Sequence, residues 1–371
     1  MARLYLDNNS TTPMLPEVAE AMARAPGGNP ASAHRSGAAA RLAFDTARGT
    51  IAECLGCHPD EVVFTSGATE ANNLALFGLA ADFHSSESPS IFASPIEHPS
   101  VYEPCRQLTQ QRFKLVELPV DSHGHAQLIQ RPTERSLVTL QLANHETGVV
   151  QDIPTLRRQC DSSAFHTDAT QAVGKIPIRF HDLGVSTLAC SAHKFHGPQG
   201  IGALIVNRCV QLPPRSFGGH QQQGRRPGTE PVALAVGMAT ALKLACVEMD
   251  ARRDRCQHLR QLFLDQLTLR KIDFIINGDP EHGLPHTLNL AFPGCSSEVL
   301  FIRLDLAGID CSTGSACSSG SLLPSPVLQA MKVSEEVLAS SMRFSLSHLL
   351  RDDEVIEAAE RIAREVEALR K

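Results

Sequence analysis

The stretch Glu61-Val-Val-Phe-Thr65, Ser66-Gly67-Ala68-Thr69 and Glu70 to Ala80 passes from a short apolar run, through small residues, into a helical pattern. Branched and aromatic side chains that stop at turn formers predict a buried strand, and the longer run after them predicts a helix. The alternation repeats. Further strand-like runs stand at Ser90–Pro95, Leu137–Leu142, Ala164–Asp168, Thr187–Ser191 and Gly202–Val206. Strands alternating with helices over so long a stretch predict an α/β fold with a large, mainly parallel sheet covered on both faces.

From Pro231 to Leu269 the texture changes. Val232, Leu234, Ala235, Met238, Leu242 and Leu244 have helical spacing, with Thr229 as a cap candidate and Pro231 in the first turn. This reads as one long helical passage that leaves the large domain. Beyond it, strands near Phe274–Ile276, Thr287–Ala291 and Met342–Leu346 and helices near Glu298–Ala307 and Asp352–Leu369 predict a smaller α+β domain. We set the division at 15–250 for the large domain and 1–14 with 251–371 for the small one.

A chain of 371 residues suggests two or three domains and a core of ordinary size. Its 34 basic and 40 acidic side chains leave a net charge of −6. A mildly acidic surface argues against coating nucleic acid or an anionic membrane. No apolar run reaches the length of a membrane span, and the N-terminus has no apolar signal core, so a cytoplasmic protein is expected. Its 11 cysteines then argue against a disulfide framework, and each thiol becomes core filler, ligand or nucleophile.

Ser191-Ala-His193-Lys194-Phe-His-Gly197-Pro198 closes a strand-like run and puts Lys194 at the carboxyl edge of the sheet, where open α/β sheets bind ligands. Alone, such a lysine reads more readily as a solvated loop charge. In His166-Thr-Asp168-Ala-Thr-Gln171, Asp168 closes another strand and suits a cationic ring nitrogen, or a helix N-cap. Gln171, one turn on, is placed to donate to an adjacent oxygen. The amides of Ala68 and Thr69 at a helix N-terminus, with the Thr69 hydroxyl, make a phosphate cradle, to which Ser191, His193 and Thr229 add donors. An anchor, an electron-sink acid and an amine are the three parts that pyridoxal 5'-phosphate needs.

Cys317 lies in Ser312-Thr-Gly-Ser-Ala-Cys317-Ser-Ser-Gly-Ser321, a run of small residues that suits a loop presenting a nucleophilic thiol, or a surface loop with an incidental one. Cys190 and Cys246 sit in apolar surroundings and read as inert. Cys54-Leu-Gly-Cys57 has no second pair at zinc spacing and reads as coincidence. The 16 histidines form no metal-binding motif, and no metal is expected. His98 is either a loop histidine or a ring set against the cofactor that shuttles protons. Arg343, a lone charge in a strand-like run, needs an acid or a substrate carboxylate.

The ordered series Tyr5-Leu-Asp-Asn-Asn-Ser-Thr-Thr12, Gly28-Asn-Pro-Ala-Ser-Ala-His34, Phe64-Thr-Ser-Gly-Ala-Thr-Glu70, Asn144-His-Glu-Thr-Gly148, Asp168-Ala-Thr-Gln171, Ser191-Ala-His-Lys-Phe-His-Gly-Pro198, Arg226-Pro-Gly-Thr229 and Gly314-Ser-Ala-Cys317 closely resembles cysteine desulfurases of the NifS/IscS type. These are fold-type I, class V aminotransferase-like enzymes, and the likeness spans nearly the whole chain. The resemblance implies that pyridoxal phosphate supports removal of sulfur from L-cysteine, leaving alanine and a persulfide on Cys317. It makes Lys194 the Schiff-base lysine, Asp168 the pyridinium partner, Gln171 the phenolate-oxygen donor and His98 the ring-stacking residue. Ala68, Thr69, Ser191 and His193 become phosphate contacts, with Thr229 supplied by a second subunit of a homodimer. Asn144 and Arg343 bind the substrate carboxylate.

Four places depart from the family pattern. His145 stands in Asn144-His145-Glu146 where asparagine is usual, Gln222 where glutamate is common, Pro231 where asparagine is common, and Ser345-Leu-Ser-His348 where Ser-Leu-Gly-Arg is familiar. A selenocysteine lyase or an aminotransferase of the same class would share Lys194 and Asp168. The resemblance also implies a sulfur-accepting or scaffold protein, whose identity the chain does not disclose.

Overall fold

The computed structural model describes residues 2–83, 89–133, 136–160, 163–313 and 324–371, so Cys317 lies outside the described residues. In chain order the strands are β1 (Leu4–Tyr5), β2 (Val62–Thr65), β3 (Ser90–Ala93), β4 (Lys114–Glu117), β5 (Ser136–Thr139) and β6 (Ala164–Asp168). Then come β7 (Thr187–Ser191), β8 (Gly202–Val206), β9 (Ile275–Asn277), β10 (Thr287–Ala291), β11 (Ile309–Asp310) and β12 (Ser341–Ser345).

Seven strands form one sheet in the order β2-β8-β7-β6-β5-β3-β4. Within it β3 to β7 pair in parallel and only β8 runs against its neighbours β2 and β7. Every residue of β2, β5, β7 and β8 is buried, as a sheet covered on both faces requires, so these strands show no alternation. The fold is the expected α/β one. The small sheet is antiparallel, order β12-β10-β9, beside a parallel β1–β11 pair. Its core draws Leu4 and Leu6 together with side chains between Leu259 and Val366. The closing helix Asp352–Arg370 turns Val355, Ala359, Ile362 and Val366 inward and sets Asp352, Asp353 and Glu354 at its positive end.

The passage from Pro231 to Leu269 is not one helix. It is two, Val232–Val247 and Met249–Leu269, bent by 72° about Glu248. The first buries Ala235, Met238, Ala241 and Leu242 in the large core, and the second sends Leu259, Phe263 and Leu267 into the small one. One chain serving two cores has to turn between them. Pro231 itself takes the N-cap position, and Thr229 is exposed and makes no cap. The other strand and helix expectations are met to within a few residues.

Candidate active site

The carboxyl ends of β2, β3, β6 and β7 face the segment Asn9–Thr11 and Arg343 of β12 across a cleft of about 620 Å³. This is where open α/β sheets bind ligands. At one end the helix Ala68–Ala80 begins directly after the Thr65–Gly67 turn, so its first amides have no partner within the helix. Gly202 of β8 lies beneath that turn. A Cβ there would sit 2.5 Å from the Cys190 carbonyl oxygen and 2.8 Å from Gly67, so only glycine fits. Glu70 ties the turn down, accepting from the Ser66 amide at 2.6 Å and from Arg226 at 2.9 Å.

Strand β7 ends at Ser191 and a single 3-10 turn, Ala192–Lys194, brings the lysine over the cleft. Its Nζ donates to the carbonyl oxygens of Asn9 at 2.5 Å and Ser10 at 2.7 Å. Asp168 ends the neighbouring strand β6. Its Oδ1 accepts from the Thr170 amide at 2.9 Å and its Oδ2 from Asn72 at 2.8 Å. Asn72 in turn accepts from His166 Nε2 at 3.0 Å, whose Nδ1 meets the Thr187 hydroxyl at 2.9 Å. Burial holds His166 down to about 4, so the ring is neutral at pH 7 and this chain of dipoles points at the Asp168 carboxylate. Gln171 donates from Nε2 to the Asn9 carbonyl at 3.0 Å.

His98 caps the helix Pro99–Thr109, its Nδ1 accepting from the Ser100 amide at 3.1 Å. In the neutral ring the proton therefore sits on Nε2. Burial, aided by Lys194 and opposed by Asp168, keeps its pKa below the ordinary value. The His145 ring stands edge-on to it with centroids 5.5 Å apart, and burial drives His145 well down too. His193 meets the Thr11 hydroxyl at 3.1 Å and is lowered to about 4 by burial, then by Lys194 and Lys175.

Arg343 is nearly buried, donating from Nη2 to Asp7 at 2.7 Å and from Nη1 to the His145 carbonyl at 3.1 Å. Its Nε has no partner among the described residues. The remaining N–H groups at the cleft wall suit a carboxylate. Asn144 is placed differently. Its side chain donates to the Ile96 carbonyl and accepts from the Glu146 and Thr147 amides, which spends it on a buried turn behind the cleft wall.

The cleft thus gathers Ala68, Thr69, His98, Asp168, Gln171, Ser191, His193, Lys194 and Arg343. It does not include Asn144 or the exposed Thr229. Sequence reasoning gave no role to Asn9, Asn72, Glu70 or Asp7. Glu70 alone left a local trace, at the first turn of a helix; Asn72 meets its acid 96 residues away and Asp7 its arginine 336 residues away. Cys54 and Cys57 form no disulfide. Cys54 shares a hydrogen bond with Cys246 instead, and Cys57 is pushed up to about 12 by burial and by Glu61 and Asp60.

The donor set fits pyridoxal phosphate. Unpaired amides and hydroxyls at a helix N-terminus suit its phosphate, a buried carboxylate suits its ring nitrogen, and a lysine and an arginine line the same cleft.

The chain matches the aminotransferase class-V family model over residues 4–357. It is 39% identical over 378 residues to the cysteine desulfurase IscS of Dictyoglomus turgidum, covering 99% of this chain and 95% of that protein. It is 42% identical over 382 residues to IscS of Photorhabdus laumondii, covering 99% and 93%. Among solved structures, a NifS-like protein superposes with a TM-score of 0.90 at 34% identity, over 98% of each chain. SspA in complex with cysteine does so at 0.80 and 31%, over 93% of this chain and 99% of SspA.

Proposed function

The chain belongs to the class-V aminotransferase family, as a cysteine desulfurase of the IscS/NifS type, and on that premise we propose that its cleft holds pyridoxal phosphate and takes L-cysteine. Enzymes of this family use that cofactor. The observation that carries the reading is the convergence of Lys194, Asp168, Gln171, Thr69 and Arg343 on one cleft from four separate segments.

Ala68, Thr69, Ser191 and His193 would hold the phosphate, Asp168 the ring nitrogen, Gln171 the ring oxygen and Lys194 the aldehyde carbon, with His98 against the ring. When bound, the cofactor supplies an electron sink for the pair released at the substrate Cα. Lys194 takes the Cα proton from Nζ's position between the Asn9 and Ser10 carbonyls and returns it. Arg343 orients the substrate carboxylate through its unspent N–H groups, held in turn by Asp7. The Cys317 thiolate attacks the substrate sulfur. The Cβ–S bond breaks, an S–S bond forms, and protonation at Cβ completes alanine while Cys317 keeps the persulfide. The Cys317 thiol gives its proton to solvent, and neutral His98, whose Nε2 carries the ring proton, serves as a proton donor in the cleft.

The bonding of Asn144 favours Arg343 alone as the carboxylate anchor, with Asn144 shaping the turn beneath it. We further propose a homodimer in which Thr229 completes the partner's phosphate site, and the division into a large domain, 15–250, and a small one, 1–14 with 251–371. Separate cores on either side of Glu248 support that division. The persulfide sulfur passes to an acceptor protein. Among the described residues no single helix is long and apolar enough to cross a membrane, and we propose a cytoplasmic location. The test is to add L-cysteine to the cofactor-loaded wild type and Cys317→Ala. The variant should keep the bound-cofactor absorbance and lose cysteine-dependent sulfide; full retained activity would overturn the assignment of Cys317.

A further inference from the structure

Lys194 also borders a second, smaller cavity of about 50 Å³, whose lining includes none of the phosphate-cradle residues. At roughly 10–15 Å³ for each water, that space takes a few waters or one small polyatomic ion. Its wall is unusual in charge. Lys175, Arg252, Arg253, His196, His286 and His348 line it together with Lys194, and no aspartate or glutamate does.

Lys175 is part-buried, and the partner its Nζ reaches is neutral, the Gln171 Oε1 at 3.0 Å. The Cys256 thiol on the same wall is no counter-ion, since burial pushes it up to about 11. The Arg252 guanidinium pairs with Glu248, and Arg253 with Asp250 and Asp254. The His286 Nε2 is buried without a partner among the described residues. An ammonium and a ring nitrogen left this way in one cavity are costly unless an anion meets them.

We propose that this cavity is a binding site for a small inorganic oxyanion of the sulfate or phosphate class, seated on Lys175 and His286 and admitted past the half-exposed Arg253. Burial and the neighbouring Lys194 lower Lys175 to about 7, and burial with Arg252 lowers His348 to about 3. The site is wired to the cleft. Lys175 donates to Gln171, Gln171 donates to the Asn9 carbonyl, and that same carbonyl accepts from Lys194. A bound anion would fix the charge on Lys175 and so the orientation of the Gln171 amide.

The test uses cofactor-loaded protein, so that the phosphate cradle is filled, titrated calorimetrically with sodium sulfate at constant ionic strength. One saturable site per chain is expected. Lys175→Met should weaken sulfate at least tenfold, Lys175→Arg should restore it to within about threefold, and Arg343→Lys should leave it unchanged. Arg253→Gln, at the mouth, serves if Lys175→Met does not fold, and should slow and weaken binding at least threefold. Absence of saturation at tens of millimolar, or loss of binding in Arg343→Lys but not Lys175→Met, would overturn the proposal. The second result would locate sulfate in the substrate cleft instead. Inorganic phosphate run in parallel should bind the same site.

Discussion

The two walls of the main cleft are built by different means. On the wall of the large sheet, several groups have a tie only a few residues away, although Asp168 is also held by Asn72 from 96 residues away. Asp168 is held by the Thr170 amide, His98 by the Ser100 amide, and Thr69 by its place in the first turn of a helix. On the opposite wall the ties are long. Arg343 meets Asp7 across 336 residues and the His145 carbonyl across 198, and Lys194 reaches Asn9 across 185. The first wall leans more on local turns and caps, and the second on the N-terminal segment lying against both domains. Changes on the first wall should therefore alter the chemistry and the hold on the cofactor. Changes on the second should alter substrate binding.

The largest expected effect is at Lys194, where both walls meet. Lys194→Ala should lower turnover by about 10⁴-fold or more, since nucleophile and base are lost together. The bound-cofactor absorbance should also lose its lysine-dependent band. Next is Asp168→Asn. Removing one partner of a buried charge costs about 3–5 kcal/mol, so kcat should fall roughly 10²–10³-fold with KM little changed. Arg343→Lys keeps the charge but loses the fork, and should raise KM for cysteine about tenfold to a hundredfold with the cofactor spectrum intact. A fall in kcat alone for Arg343→Lys would erase the distinction between the walls. Thr69→Val removes one hydroxyl from the phosphate, worth about 1.5–3 kcal/mol for a bond to a charged group, and should weaken cofactor binding at least tenfold in equilibrium dialysis.

The smallest effect is on stability against pH. His166, His193 and His196 are held down to about 4 and His348 to about 3, in each case first by burial. Lowered histidines contribute nothing against the fold above about 6.5, and destabilise it as pH falls toward 4, because only the unfolded chain gains those protons. Glu146, raised from the ordinary carboxyl value to about 7 by burial, acts oppositely: it costs nothing below about 4.5, and the fold loses stability as pH rises from there to about 7. With His98, His145 and His286 lowered as well, seven histidines stand against the two raised carboxyls Glu146 and Glu97, and the melting temperature of the loaded protein should be lower at pH 5 than at pH 7.5.

The same contrast explains what the sequence disclosed. Strand-end residues such as Asp168 and Lys194, and the small-residue turn before Thr69, are local features that a linear pattern exposes. So was the alternation that sets the α/β sheet. The bend at Glu248 was not legible, because no proline or glycine marks it; it follows from two cores pulling one chain apart. Asn72, Asn9 and Asp7 were invisible for the same reason, since their partners are brought by tertiary closure. Asn144, a carboxylate ligand by resemblance, bonds within its own turn in this structure.

The central claim is that cysteine sulfur passes to Cys317 in a cleft loaded with pyridoxal phosphate. Its most direct measurement mixes loaded protein with one equivalent of L-cysteine, without reductant, and counts alanine and Cys317 persulfide by mass spectrometry. The account predicts equal amounts of the two, rising together, and neither product in Lys194→Ala. Alanine without persulfide, or turnover that requires an added keto acid, would contradict it.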